Sequence, residues 1–202
     1  MADINQNSLG PILTFQELSK AEVRVAAKEI IRNNNLTGTI DSFVRRAKQS
    51  FLILRAMNGD FHKIVSIGLK GESPKILASI ISSKMKFIPP EGEADTLQQF
   101  LDEARSGKVI ERGWATNTTG LKGALHTLTD EFEKHLKQIG KTRSSTFCTV
   151  ESSNGPGAKS AIKSGYVCVG QFPSQYSKNV LKLFIWPAVN KADQRVRLDH
   201  QR

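Results

Sequence analysis

The chain has 202 residues, 39% hydrophobic and 24% charged, with a formal net charge of +10 at pH 7. This length suits one well-buried core, so we expect a single domain over residues 1–188, with an insertion around 70–108 and a basic, flexible tail over 189–202. The longest apolar runs are too short to cross a bilayer and the N-terminus lacks a basic, apolar leader pattern, so we expect a soluble, cytoplasmic protein with no membrane partner.

The first predicted elements are a short strand and two helices. The segment PILTF opens as a strand, and a capping box at Ser19 and Glu22 then begins the first helix. Apolar residues recur at helical spacing until the segment RNNN, where this helix should end. The segment TIDSFVRRAKQ has a second candidate cap at Thr39 or Asp41 and predicts a shorter helix.

A β-hairpin is predicted next. Two β-rich runs flank Asn58-Gly59, and both residues tolerate the positive φ of a type I′ turn. The part from Lys70 to Lys108 is less regular. Within it, PKILASIISSKMKF fits a helix or a strand, Pro89-Pro90 ends it, and EADTLQQFLDEARSG predicts a helix closed by Gly107.

The second half alternates strands and helices. The strand KVIERGWAT precedes the longest predicted helix, TTGLKGALHTLTDEFEKHLKQIG, which Gly140 should stop in the left-handed conformation. Its apolar residues recur at steps of three or four: Leu121, Leu125, Leu128, Phe132, Leu136 and Ile139. A strand SSTFCTV, a short helix PGAKSAIKS and a hairpin of YVCVGQF and NVLKLFIW complete the chain.

This order predicts an α/β fold with a mixed, mostly antiparallel sheet and helices on both faces. The unit from Val109 to Val150 should be a right-handed crossover between parallel neighbouring strands. Cys148 and Cys168 both fall inside predicted strands and are expected to be buried thiols. The four histidines are scattered, and no CxxC or HExxH motif is present, so no metal site is predicted.

The positive charge is concentrated in the C-terminal part. From Lys134 onward, twelve Lys or Arg oppose three Asp or Glu, which accounts for nine of the ten net positive charges. Such a half could attract nucleic acid, an acidic protein or a phosphorylated ligand, and it equally fits a solvated surface. No helix-turn-helix, RRM or KH pattern accompanies it.

The start of the longest predicted helix has the residues of an anion site. Thr118, Thr119, Gly120 and Gly123 are small or hydroxylated, so a helix beginning there would expose backbone N–H groups at the positive end of its dipole. Lys122 adds a positive charge, and phosphate is attracted to such an end. The same residues also fit an ordinary helix start, and neither a P-loop nor a GxGxxG motif is present.

A second segment points in the same direction. After the strand ending near Ser152, the chain breaks at Asn154, forms the short helix, and continues through Gly165 and Tyr166 into the final hairpin. Together with TTGLKGA, this order resembles the second half of the GNAT N-acetyltransferase superfamily, over about 109–185. That pattern is roughly [QR]xxGx[GA] at the long helix and NxxAxxxYxxxG[FY] after the next strand.

The match to this pattern is partial. Gly165 and Tyr166 agree with it, and Ala124 is allowed in it. In the first motif, Thr119 stands at the usual Gln or Arg and Lys122 at the first glycine. In the second, Gly157 stands at the usual Ala, and Ala161 replaces the Tyr that commonly protonates the departing thiolate.

The resemblance implies that acetyl-CoA, or another acyl-CoA, binds between two parallel strands that separate at their C-terminal ends. Val109–Ala115 and Thr146–Ser152 would be these strands, and unpaired backbone groups would hold the pantetheine arm. The pyrophosphate would lie on N–H groups of Thr119 to Ala124, and Asn154 would bind pantetheine or cap the short helix. The implied acyl-CoA residues are Ala115, Thr116, Thr118, Thr119, Gly120, Leu121, Lys122, Gly123, Ala124, Asn154 and Gly157.

Four residues are candidates for the chemistry that the resemblance implies. Glu111 is the preferred general base and Glu151 the second candidate, although Glu111 also fits an ordinary surface carboxylate beside Arg112. With Tyr absent, Ser160, Ser164 or water would serve as the acid.

The implied function is the transfer of an acetyl or other acyl group from acyl-CoA to an amine of a small molecule, protein or nucleic acid. The alternative is a catalytically inactive protein of this fold, or a basic protein that binds nucleic acid or another protein.

Overall fold

The computed structural model describes residues 8–70, 94–173 and 179–186. Seven strands form one sheet in the order β1-β2-β3-β4-β5-β7-β6. They are β1 (Leu13–Thr14), β2 (Phe51–Met57), β3 (Asp60–Lys70), β4 (Ile110–Asn117), β5 (Thr146–Glu151), β6 (Val167–Pro173) and β7 (Val180–Ile185). Only β4 and β5 are parallel neighbours among the paired strands described. The predicted mixed, mostly antiparallel sheet is confirmed.

Five α-helices and two short 3₁₀ helices lie among the described residues. The α-helices are α1 (Lys20–Asn33), α2 (Ile40–Lys48), α3 (Ala94–Arg105), α4 (Thr129–Gln138) and α5 (Gly155–Lys163). The 3₁₀ helices cover Ala124–Leu128 and Arg143–Ser145. None of the helices in these described parts combines the length and apolar character needed to cross a membrane.

Helices cover both faces of the sheet, as predicted. Along β2, Leu52 and Leu54 pack against α1 and α2, whereas Ile53 between them packs against α4 on the other side. Because successive side chains of a strand point to opposite faces, this alternation places apolar residues under both layers. We call the side of α1 and α2 the first face and the side of α4 the second face.

The same alternation locates the other two helices. On β5, Phe147 packs with α3, and Cys148 packs with α5. Thr149 lies on the Phe147 side and contacts Glu111 of β4, which is paired with Lys70 of β3. Lys70 shares its side of β3 with Ile64 of the α1 and α2 cluster, so α3 also covers the first face.

Several predicted local features are confirmed. Both hydrogen bonds of the capping box at Ser19 are present, and Thr39 caps α2 by accepting a bond from the Ser42 amide. Asn58 and Gly59 have φ angles of 52° and 76°, the left-handed values that a type I′ turn requires at both central positions. The predicted helix after residue 93 is α3.

The longest predicted helix is shorter than its apolar pattern suggests. Residues 118–123 form a turn, a 3₁₀ helix follows, and α4 begins only at Thr129. The reason is local: the Asn117 side chain accepts from the Thr119 amide and donates to the Leu121 carbonyl, which holds this segment in a non-helical turn. At the other end, Gly140 has the predicted positive φ, and Ile139 is exposed.

Some predictions fall outside the described residues. They are the alternatives for PKILASIISSKMKF, the break at Pro89-Pro90, most of the turn between the last two strands, and the tail over 189–202.

Candidate functional site

The two parallel strands separate soon after they begin. β4 and β5 pair at Ile110 with Thr146 and at Glu111 with Phe147, and their ladder contains no further pair. β4 nevertheless continues to Asn117 and β5 to Glu151. Beyond Glu111, therefore, β4 keeps β3 on one side and has a gap on the other, as predicted.

A β-bulge distorts β4 beside this gap. The register between β3 and β4 shifts between Ser66 and Gly68, so that β4 contains one residue more than β3 there. Trp114 takes up this residue with a φ of 54°, and its carbonyl accepts a hydrogen bond of 2.8 Å from the Ser66 hydroxyl. Its ring is buried against Phe43. Since a bulge bends its strand, it re-aims the β4 backbone next to the gap.

Glu111 lies where the two strands part, on the first face. It is only 5% exposed, and one carboxylate oxygen is 2.7 Å from the Lys70 ammonium and 3.0 Å from the Thr149 hydroxyl. Glu111 is therefore not an ordinary surface carboxylate. Arg112, the next residue, lies over the rings of Phe132 and Tyr166 on the second face.

Gly113 gives Lys70 its route to Glu111. A Cβ atom built on Gly113 would lie 2.3 Å from Cε of Lys70, so the lysine stem occupies the space that a side chain would take. The side chain of Lys70 is 28% exposed, and that of Glu111 is 7% exposed. The ion pair is thus largely removed from water, with its open side at Lys70.

Residues at the end of α1 span the opening of the gap. Asn34 donates a hydrogen bond of 2.8 Å to the hydroxyl of Thr116 on β4. Asn35 donates a hydrogen bond of 3.2 Å to the carboxylate of Glu151 at the end of β5. Asn179 also donates 2.8 Å to Glu151. Glu151 is therefore a hydrogen-bonded residue at the rim, whereas Glu111 lies at the base of the gap.

The predicted anion site is a turn rather than the start of a helix. Thr118 bonds back to β3 through its amide and hydroxyl, and the Thr119 hydroxyl accepts from the Leu121 amide. The helix dipole expected at Gly120 is accordingly absent from this position. In the described part of the chain, the amides of Gly120, Lys122 and Gly123 have no hydrogen-bond partner, and all three residues are exposed. Ala124 is buried at the first position of the 3₁₀ helix, and Ala115 is exposed on β4.

At the other predicted motif, Asn154 acts as a helix cap. Its side chain accepts a bond of 2.9 Å from the Gly157 amide at the start of α5, and a Cβ atom on Gly157 would lie 2.7 Å from that side chain. Asn154 was predicted either to bind pantetheine or to cap the short helix, and the structure shows it capping the helix.

The two candidate acids do not meet Glu111. Ser160 is exposed on α5. Ser164 caps the C-terminal end of α5, away from the end at Asn154. Ala161, at the position of the family's Tyr, is buried against Cys148 and Phe184.

Buried polar groups lie behind the site. Burial raises the pKa of the Cys148 thiol to about 12, and Cys168 is half-buried; both thiols are free. The predicted burial of the thiol is confirmed for Cys148, whereas Cys168 is only partly buried. Burial also raises the pKa of the Tyr166 hydroxyl, which hydrogen-bonds with Thr146.

The sequence reasoning missed Lys70, Thr149 and the asparagines at the end of α1. Lys70 could have been found by pairing the last residue of the predicted hairpin with the start of the next strand. That register was not predicted, and no local pattern marks the asparagines as rim residues.

No protein-family model and no curated protein matches the sequence. Solved structures do match. An N-acetyltransferase from Staphylococcus aureus Mu50 aligns with a TM-score of 0.54 and 9% identity, over 90% of this chain and 99% of that one. A putative acetyltransferase of the GNAT family from Desulfovibrio desulfuricans aligns with a TM-score of 0.51 and 7% identity, over 87% of this chain and 96% of that one.

The spermidine N-acetyltransferase from Vibrio cholerae, a dodecamer, aligns with a TM-score of 0.50 and 10% identity, over 88% of this chain and 92% of that one. Identities this low carry information on the fold alone. The similarity extends through most of the chain, whereas the sequence motifs covered only its second half. The separated parallel strands and these alignments agree, and the chain has the fold of the GNAT N-acetyltransferases.

Proposed function

We propose that this protein is an acyl-CoA-dependent N-acyltransferase that moves an acetyl group to an amine. The observation that carries the proposal is the early separation of β4 and β5, with Glu111 buried at the point where they part. A gap of this kind offers backbone groups to an extended ligand, and a carboxylate at its base offers a proton acceptor.

The residues around the gap fit an acyl-CoA. The edge of β4 beyond Glu111 lacks a neighbouring strand and suits the amide-rich pantetheine arm. The unpartnered amides of Gly120, Lys122 and Gly123 suit a pyrophosphate, and the Lys122 ammonium adds charge. Ala115, Thr116 and Gly157 would line the gap rather than donate side-chain bonds.

The bound thioester would supply an activated acyl group, and the chain's own residues would prepare the amine. Glu111 would accept the proton that an amine must lose before it attacks. The Thr149 hydroxyl, which donates to Glu111, would hold the carboxylate in place. Glu151, held by Asn35 and Asn179, would line the acceptor entrance.

A second candidate function is acyl-CoA binding without catalysis. It is favoured by Ala161, which is buried where the family pattern has a Tyr, and by the positions of Ser160 and Ser164 away from Glu111. In the catalytic proposal, water would protonate the departing thiolate. A nucleic-acid partner, suggested by the basic C-terminal part, gains no support from the comparisons.

Thermal unfolding with and without acetyl-CoA tests the proposal. If acetyl-CoA binds only the folded chain, a hundredfold excess over the dissociation constant should stabilise it by about 2.7 kcal/mol. Thiol release in the presence of an amine library then separates catalysis from binding. The variant Glu111→Gln should lower turnover by roughly 100-fold with little change in acetyl-CoA affinity. No stabilisation by millimolar acetyl-CoA would refute both candidate functions.

A further inference from the structure

We infer that Lys70 is itself an acyl acceptor, so that the protein acylates its own chain at this residue. The inference rests on the proposed function, because it requires a bound acyl-CoA. It adds a covalent modification site that the transfer of an acyl group to an external amine does not require.

The first argument is the position of the amine. Nζ of Lys70 is 2.7 Å from Oε1 of Glu111, and Glu111 is the last residue of β4 that pairs with β5. The lysine amine therefore lies at the base of the gap, in the place where an acceptor amine must come within hydrogen-bond reach of the proposed base.

The second argument is that the chain is shaped to hold the amine there. The lysine stem crosses β4 over Gly113 and occupies the space that a Cβ atom would take at that position. Thr149 holds the same carboxylate oxygen from β5, so residues of β3, β4 and β5 converge on one proton acceptor. An amine fixed in this way avoids most of the entropy cost of bringing two reactants together.

Other described lysines lack this combination. Within residues 8–70, 94–173 and 179–186, one further lysine forms an ion pair, Lys134 with Glu131, at 3.7 Å and with both side chains exposed. Lys141 donates to backbone carbonyls, which do not accept a proton at neutral pH. Lys63, on the same strand as Lys70, is exposed.

The step balances with an acyl-CoA thioester as the only co-reactant. The Lys70 ammonium gives one proton to Glu111 across their hydrogen bond, and the freed nitrogen forms an amide bond with the acyl carbon. The carbon–sulfur bond breaks, and the leaving thiolate takes the second proton from nitrogen. Glu111 then releases its proton to water.

Intact-mass spectrometry and peptide mapping of the full chain after incubation with acetyl-CoA test the inference. The expected result is one acetyl group per chain, located on Lys70. Lys70→Arg keeps the ion pair but should lose the modification, while the matched variant Lys63→Arg should keep it. Glu111→Gln should slow acetylation of Lys70 by roughly 100-fold, measured below the unfolding temperature of that variant.

The outcomes separate this inference from the proposed function. A chain that is stabilised by acetyl-CoA but leaves Lys70 unmodified overturns the inference and leaves the proposed function standing. Acetylation of Lys70 at the rate of Lys63 in the wild-type chain would show simple chemical reactivity and would also overturn it. This last comparison needs no variant, so it holds even if Glu111→Gln does not fold. A chain that does not bind acetyl-CoA refutes both.

Discussion

Removing the ammonium of Lys70 should destabilise the fold because it leaves a buried carboxylate without its cation. The variant Lys70→Met keeps an unbranched stem over Gly113 and removes the ammonium together with its hydrogen bond to Glu111. Breaking a buried ion pair by removing one partner costs roughly 3–5 kcal/mol. The side chain of Glu111 is 7% exposed, but that of Lys70 is 28% exposed, so water can partly replace the lost partner. We therefore expect the free energy of unfolding to fall by about 3 kcal/mol, the low end of this range.

Urea and thermal unfolding followed by circular dichroism measure this loss. For a chain of this size, about 3 kcal/mol corresponds to a fall of roughly 6–12 °C in Tm. The control Lys63→Met changes an exposed lysine on the same strand and should stay within about 0.5 kcal/mol of the wild type.

A double-mutant cycle isolates the pair itself. In Lys70→Met combined with Glu111→Gln, neither charge of the pair remains. The loss of unfolding free energy in the double variant should therefore be smaller than the sum of the two single losses by at least about 1 kcal/mol. Strictly additive losses, or a Lys70→Met variant as stable as the control, would refute the view that Lys70 neutralises a buried Glu111.

Three further predictions concern other parts of the fold. Gly165 has a φ of +91°, and a Cβ atom there would lie 2.8 Å from Trp186. The variant Gly165→Ala should therefore lose roughly 1–3 kcal/mol of unfolding free energy, measured in urea, and an unchanged midpoint would contradict this. Burial lowers the pKa of His135 from its ordinary 6.5, so the unfolded chain binds that proton more tightly and stability falls as pH drops through 6.5 to the lowered value. His135→Gln should flatten this fall in unfolding free energy, and an equally steep fall would argue against it. Because burial raises the pKa of Cys148 to about 12, a thiol reagent at pH 8 should modify Cys168 first and Cys148 only on unfolding. Equal modification rates of the two thiols in the folded chain would contradict the burial of Cys148.

The sequence predicted the features of this fold that depend on neighbouring residues. The capping box at Ser19 and the turn at Asn58-Gly59 are short-range, and each has its own hydrogen-bonding or φ requirement. The start of α4 was predicted wrongly because apolar spacing is the same whether or not the first turns are helical. The Asn117 side chain decided that outcome by bonding to the backbone around it.

The candidate site was predictable only in part for a related reason. The separation of β4 and β5 followed from the resemblance of the second half of the chain, and Glu111 was placed on the correct strand. Its partner Lys70 is 41 residues away in sequence, and their contact depends on the register of β3 with β4. That register contains the bulge at Trp114, which shifts the pairing by one residue and which no local sequence pattern announced.

The hydrogen bonds at the end of α1 make that helix responsive to whatever enters between β4 and β5. Two consecutive residues, Asn34 and Asn35, attach to Thr116 on one strand and to Glu151 on the other. A ligand that pushes the two strands apart should lengthen one of these hydrogen bonds. A ligand that draws the strands together should shorten the distance between Thr116 and Glu151. Filling of the cleft and order in the first helix are thus thermodynamically linked, and each should report on the other.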